Sequence, residues 1–176
     1  NLIGNEHHGF VQNRSTTTQL LLHRKYLVEE TYDKYSVDTV YLDISKAFDS
    51  VTHRRLLIML ESYGITGRTL DWLTSYLNNR KQRVMINESF SENRSVISGV
   101  PQGSCLGPLL YLLYTFDTKD HVESCNILIF ADDCKLSISS RHVEYGKLMQ
   151  NDLDKIFAYF AHRQLALSVQ KSKVIY

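Results

Sequence analysis

Asn126-Ile127-Leu128-Ile129-Phe130-Ala131-Asp132-Asp133-Cys134-Lys135-Leu136-Ser137-Ile138 is the stretch that decides the fold. Residues 127–131 form a nearly unbroken apolar run, the mark of a strand covered on both faces. Beyond the two aspartates, Cys134, Leu136 and Ile138 alternate with Lys135, Ser137 and Ser139, which predicts a half-buried strand. The segment therefore reads as strand, acidic turn, strand. Two adjacent carboxylates at the end of a buried strand repel each other and lose hydration. A hard divalent ion with oxygen ligands is their natural partner. Alone the pair decides little, because Asp-Asp is also common in solvated turns.

A second apolar strand, Val40-Tyr41-Leu42-Asp43-Ile44, also ends in an aspartate. Side by side in one sheet, the two strands would bring Asp43 and Asp132 to one edge with Asp133 close behind. That arrangement suits two-metal phosphoryl transfer, in which paired ions activate the attacking oxygen and neutralise the leaving one. A third element, Ser98-Gly99-Val100-Pro101-Gln102-Gly103-Ser104, is a stiff, glycine-bracketed loop. Gly103 lets backbone approach a ligand, Pro101 fixes the turn, and Gln102 offers an uncharged amide that donates and accepts. The plainer reading is a loop with an N-capping Ser104 ahead of a core helix striped by Leu109, Leu112, Leu113 and Phe116.

In order, Tyr41-Leu42-Asp43-Ile44-Ser45-Lys46-Ala47-Phe48-Asp49, Gly99-Val100-Pro101-Gln102-Gly103-Ser104 and Phe130-Ala131-Asp132-Asp133 resemble three reverse transcriptase motifs. His8-Gly9-Phe10 with Asn13-Arg14-Ser15-Thr16 is similar to the finger motif upstream, and Leu167-Ser168-Val169-Gln170-Lys171-Ser172-Lys173 to the lysine-bearing motif downstream. The phrasing most resembles the RNA-directed DNA polymerases of non-LTR (LINE-type, jockey-like) retrotransposons. This resemblance covers nearly the whole chain.

The resemblance implies roles. Asp43, Asp132 and Asp133 would hold two Mg²⁺ ions, or Mn²⁺ in their place, with the Ile44 carbonyl a further oxygen donor. Phe48 would be the steric gate that collides with a ribose 2′-OH, the group that separates RNA from DNA. Gln102 and Gly103 would meet the incoming nucleotide. Lys171, with Lys173 as the alternative, would give a proton to pyrophosphate. Arg14 lies ahead of the capping cluster Ser15-Thr16-Thr17-Thr18, and a guanidinium at a helix N-terminus makes a phosphate site. Arg80, Lys81 and Arg83, which open a predicted strand Val84-Met85-Ile86, are the candidate nucleic-acid contacts. For several of these the plain alternatives stay open: a core phenylalanine at 48, a solvated lysine at 171, a surface arginine at 14.

The implied partners are an RNA template, a DNA primer or target DNA, and dNTPs. Departures from the family pattern are Val11 in place of an arginine, Phe130 in place of a tyrosine and Ser168 in place of an asparagine; none removes a metal ligand. Beginning at the Gly-Phe motif and ending just past Lys173, the chain is expected to be a fragment lacking the thumb, with weak or no activity alone. A catalytically silent remnant is one alternative, and another palm-fold metal enzyme such as a nucleotide cyclase is the other. A net charge of +1 over 176 residues is low for a nucleic-acid enzyme, although the acidic site itself lowers it. Cys105, Cys125 and Cys134 show no disulfide or zinc spacing, which points to a reducing intracellular compartment, nucleus or cytoplasm. Cys105 and Cys134 are expected to be small buried hydrophobes. No apolar run is long enough to span a bilayer, so no membrane partner is expected, and oligomeric state is not legible.

The periodicities predict helices over 15–32, 53–63 (stripe Leu56, Met59, Leu60 and Tyr63, stopped by Gly64) and 66–77, a hairpin over 80–98, the motif helix and a long helix with Leu153, Ile156, Phe157, Phe160 and Ala161. Short strands near 165–169 and 174–176 would close the sheet. The expected fold is α+β: a polymerase palm of mainly antiparallel sheet with helices on one face, plus partial fingers. Residues 37–51 and 104–176 would be palm, and 1–36 and 52–103 fingers.

Overall fold

The computed structural model describes residues 3–176. Ser15 opens α1 (Thr16–Tyr32) with a reciprocal capping box: its Oγ accepts from the Thr18 N–H at 3.2 Å, and Thr18 Oγ1 accepts from the Ser15 N–H at 2.9 Å. The chain extends as β1 (Val37–Ser45), turns through a 3-10 segment at Phe48–Ser50, and forms α2 (His53–Ser62) and α3 (Gly67–Leu77). Gly64, at φ 86, takes the left-handed conformation that stops α2. Four two-residue strands follow: β2 (Lys81–Gln82), β3 (Met85–Ile86), β4 (Ser89–Phe90) and β5 (Arg94–Ser95). Next come α4 (Leu106–Thr115), β6 (Asn126–Phe130), β7 (Asp133–Ser139) and α5 (Tyr145–His162). The short strands β8 (Ala166–Leu167) and β9 (Lys173–Ile175) end the chain.

Strand order in the main sheet is β6-β7-β1-β8, with β9 also pairing β1, and every one of these pairings is antiparallel. Register alternation sends Val40, Leu42 and Ile44, together with Ile127, Ile129, Cys134, Leu136 and Ile138, into one apolar face. That face packs on Leu56, Leu60, Leu73 and Leu77 of α2 and α3, Leu110 and Tyr114 of α4, and Ile156 and Phe160 of α5. Each fully buried side chain of this size stabilises the fold by about 1.5–3 kcal/mol.

Several expectations are corrected. β7 is not half-buried, since Cys134 through Ser139 are all buried, because α1 covers the polar face. There Thr39 and Ser137 hydroxyls share a 3.0 Å hydrogen bond, Ser139 Oγ donates to Glu30 Oε2 at 2.6 Å, and the Lys135 ammonium sits 5.1 Å from the Tyr41 ring centre. Helices therefore flank both faces of the sheet. α4 is buried nearly all round, with Leu110 through Thr115 inside and Leu109 exposed, so the expected stripe is replaced by the pattern of a central helix. Cys105, at its start, is exposed rather than buried, whereas Cys134 is inside as expected. On α5 the inward row is Met149, Asp152, Ile156, Tyr159 and Phe160, and Phe157 faces out. The expected hairpin is a two-part arm. β2 pairs with β5, and β3 pairs with β4 through Asn87 and Glu88, both at positive φ as a two-residue hairpin turn requires. Among the described residues no helix is long and apolar enough to cross a membrane.

Candidate active site

The β1–β7 register sets Asp43 directly opposite Asp133, and β6 pairs Phe130 with Asp133. Opposed antiparallel residues have Cα atoms about 4.5–5.5 Å apart, close enough for the two carboxylates to share an ion. Ala131 and Asp132 are thus the two-residue loop of the hairpin. Ala131 takes φ 55, a conformation usually left to glycine at the first position of such a loop. The strain is held by the N-terminal segment. Ile129 exchanges backbone bonds with it, donating to the Glu6 carbonyl and accepting from the His8 N–H, each at 2.8 Å. Gly9 lies so close that a Cβ there would sit 2.5 Å from the Ala131 nitrogen.

The electrostatics are those of crowded anions. Burial, then the charges of Asp132 and Asp43, push the Asp133 carboxyl above the usual range, with Lys171 and Lys135 opposing. Asp43 Oδ2 is buried and accepts no hydrogen bond. The Lys171 ammonium lies 3.3 Å from that oxygen as an ion pair and donates to Asp43 Oδ1 at 3.4 Å. Lys171 is brought there by the link between β8 and β9, where the Ser168 N–H bonds the Asp43 carbonyl at 2.8 Å and the Lys171 N–H bonds the Ser168 carbonyl at 3.2 Å. Because Lys171 is largely exposed, this pair contributes little to stability. Lys173, the alternative, is committed to β9 opposite Tyr41. Ile44 points its side chain into the core and faces Leu167 of β8. As they stand, no three His, Cys, Asp or Glu side chains among the described residues form a closed ligand cluster. The Oδ2 without a hydrogen bond and the raised Asp133 carboxyl nonetheless fit a hard cation: one exposed ammonium beside three neighbouring carboxylates leaves net negative charge, and oxygen donors are what such an ion takes.

Phe48 is held between two aromatics. Its ring stacks on Tyr111 (centroids 4.6 Å, 19° between planes) and meets Phe10 edge-on at 6.0 Å. Tyr111 is buried, its hydroxyl has no partner, and burial together with nearby Cys134, Asp132 and Asp133 holds its pKa well above 10. The glycine loop is buckled to the turn after β1. Val100 N–H donates to the Phe48 carbonyl and Gly99 N–H to the Val51 carbonyl, each at 2.8 Å, and the His53 ring bonds the Gly99 carbonyl at 2.7 Å. Gly99, at φ 88, packs against Asp49, where a Cβ would lie 2.8 Å from the Asp49 Cα. Ser104 does act at the head of α4, its Oγ accepting from the Gly107 N–H at 3.0 Å. Gln102 is exposed and donates to Asp49 Oδ1 at 3.1 Å, and Gly103, at φ 78, has open space above it. Beside them Lys46, Arg80 and Lys81 line a cleft of about 640 Å³. Arg83 lies farther out on the arm, its guanidinium 3.9 Å from the Phe90 ring centre.

Arg14 departs from its expected place at a phosphate. One of its terminal nitrogens, Nη1, donates to the Gly4 and His7 carbonyls at 2.6 Å each, and Nη2 donates to Asn5 Oδ1 at 2.9 Å, so the guanidinium is spent on the N-terminal loop. That same loop braces the acidic hairpin. Sequence reasoning assigned nothing to Tyr111, Phe10, His53 or Asp49. Phe10 and Asp49 carried a signal, as parts of the Gly-Phe motif and of the motif that begins at Tyr41.

Comparison with known proteins agrees with this geometry. The family profile described as Reverse transcriptase (RNA-dependent DNA polymerase) matches residues 1–176. The probable RNA-directed DNA polymerase from transposon BS of Drosophila melanogaster is 32% identical over 178 aligned residues, covering 93% of this chain and 19% of that protein. The RNA-directed DNA polymerase from mobile element jockey of Drosophila funebris is 31% identical, covering 83% of this chain and 17% of its own length. The chain thus spans about a fifth of these relatives. Telomerase from Candida albicans, solved with a fragment of telomeric RNA, shares the fold at TM-score 0.67 and 14% identity, over 92% of this chain and 30% of that one. A profile matched from end to end, over a hairpin that sets Asp133 across from Asp43 with Asp132 in its loop, makes this chain a member of the reverse transcriptase family.

Proposed function

We propose that this chain is the catalytic core of an RNA-directed DNA polymerase, which transfers a nucleotide from a dNTP to a primer 3′-hydroxyl on an RNA template. The observation that carries the reading is the placement of Asp43 across from Asp133, with one buried carboxylate oxygen left without a hydrogen bond. Asp43, Asp132 and Asp133 would hold two Mg²⁺ ions, or Mn²⁺, with the Ile44 carbonyl as a further oxygen. When bound, such ions lower the pKa of the attacking hydroxyl and neutralise charge on the phosphates.

The chain's own groups do the rest. Phe48, fixed from below by Tyr111, presents an aromatic wall to the sugar and excludes a 2′-hydroxyl. Gln102 is steadied by Asp49 and positions the nucleotide through its free amide oxygen. Arg80 and Lys81 draw phosphates into the cleft they line with Gln102, and Arg83 extends this basic surface along the arm. Lys171 Nζ rests against Asp43 until phosphates arrive, then donates its proton to the leaving pyrophosphate.

Primer extension on poly(rA)/oligo(dT) with Mg²⁺ tests the reading. Asp43→Asn or Asp132→Asn should abolish incorporation without unfolding the protein. Normal extension by both variants would end the proposal.

A further inference from the structure

On α3 the positions Arg68, Trp72 and Tyr76 follow one another at intervals of four, a single row along the helix, and Arg80 follows just past the helix end, before β2. Leu73 and Leu77 take the inward positions, Tyr76 is half-buried against the core, and Trp72 is 56% exposed. An indole this exposed is unusual, because tryptophan is on average a highly buried residue. It is also ordered. The Trp72 and Tyr76 rings stack with centroids 5.8 Å apart and 23° between planes, and the Arg80 guanidinium lies 5.4 Å from the Tyr76 ring centre. Arg80 closes the row at one end and, at the same time, lines the cleft that holds Gln102. From Arg80 to Ser95 the arm carries four basic residues, Arg80, Lys81, Arg83 and Arg94, against Glu88 and Glu92. Asp71 precedes Trp72 but falls on a different row of the helix.

We propose that Trp72, Tyr76 and Arg80 form a stacking platform for the unpaired bases of a single-stranded nucleic acid, which leads from the surface of α3 to the cleft beside Gln102. The exposed indole of Trp72, backed by the half-buried Tyr76 ring and the Arg80 guanidinium, recognises what every unpaired base offers, a flat π surface next to a phosphate. A duplex keeps its bases stacked on each other and offers that surface only at its ends. An acidic peptide would match the charge of the arm but not the stacked rings, so the combination selects single strands. The platform shares Arg80 and the Gln102 cleft with the proposed function and so rests on that reading, but it needs neither metal nor turnover, so the two fail distinguishably.

Trp72 is the single tryptophan of the chain, so its emission reports on the platform alone. The 176-residue chain, in EDTA, is titrated with unlabelled dT12 and rU12, and affinity is measured in parallel by anisotropy of a labelled dT12. Saturable quenching of Trp72 by both single strands, and weaker quenching by a blunt duplex of equal length, is the expected result. Trp72→Ala should weaken binding about tenfold, Trp72→Phe should keep most of it, and Arg80→Ala should both weaken it and lower its salt dependence. Absence of binding, binding that leaves Trp72 emission unchanged, equal quenching by the duplex, or a Trp72→Ala variant that binds like the parent would overturn the proposal.

Discussion

Gly9 rests on the backbone of Ala131: a Cβ at residue 9 would stand 2.5 Å from the Ala131 nitrogen and 3.2 Å from its Cα. Neither obstacle is a flexible side-chain end, so any larger residue must displace the loop that carries Asp132. Gly9→Ala is predicted to lower primer extension by at least about tenfold while costing about 1–3 kcal/mol of stability, the usual range for overpacking. Steady-state kinetics beside thermal melting check this. Unchanged activity would mean that the acidic hairpin needs no brace.

Phe48 stacked on Tyr111 is predicted to set sugar selectivity. Phe48→Val should raise the ratio of ribonucleotide to deoxyribonucleotide incorporation by about 100-fold, with dNTP turnover reduced less, since the loss is of steric exclusion and not of a metal ligand. Tyr111→Leu, which removes the ring beneath, should raise the same ratio by a smaller factor. Single-nucleotide insertion with dTTP and UTP measures both.

Asp152 ties α5 to the loop before β6. Its carboxylate accepts from the backbone N–H groups of Ser124 and Cys125 at 2.8 Å each and of Glu123 at 3.1 Å. Burial raises the Asp152 pKa, but the three N–H bonds outweigh it, and the carboxyl sits below its ordinary value. The folded pKa is therefore depressed relative to the unfolded chain. The stability this confers is present above about pH 4, the unfolded value, and is lost as pH falls through the folded one. Asp152→Ala should cost about 3 kcal/mol at pH 7, from unsatisfied N–H groups and lost charge-assisted bonds, and the cost should shrink below pH 4. Urea melts across pH 3–7 decide the point.

Asp133 carries the opposite sign. Its pKa is raised by burial and by Asp132 and Asp43, so its ionised form disfavours folding above the unfolded value, and the penalty is relieved as pH falls below the folded one. Asp133→Asn should therefore raise Tm in metal-free buffer at pH 7. Added Mg²⁺ should raise the Tm of the parent and leave the variant nearly unmoved, because only the intact carboxylate set binds the ion.

The strand–turn–strand reading of 126–139 and the capped helix from Ser15 were legible because each rests on local pattern: an apolar run, a capping cluster, a turn. The two-sided burial of β7 was not. Lys135, Ser137 and Ser139 look solvent-facing until α1 lies over them and offers Glu30 to Ser139, while Thr39 and Tyr41 of β1 meet Ser137 and Lys135. α4 misled for a related reason, since a helix buried all round has no stripe to read. At the site, Asp43, Asp132, Asp133, Phe48 and Gln102 could be named from their motifs. Tyr111 under the gate and His53 on the Gly99 carbonyl depend on contacts between residues 63 and 46 positions apart, which leave no trace in spacing. Arg14 shows the converse: a helix start is a phosphate site only when the guanidinium has not already been spent on nearby carbonyls.

Everything catalytic in this account requires that the carboxylates of Asp43 and Asp132 bind the same divalent ions. Mn²⁺ titration followed by electron paramagnetic resonance, on the parent chain and on Asp43→Asn and Asp132→Asn, measures this without any need for turnover. Saturable Mn²⁺ binding that weakens at least about tenfold in each variant, the loss of one anionic ligand, is the predicted result. Equal affinity in all three proteins would contradict it.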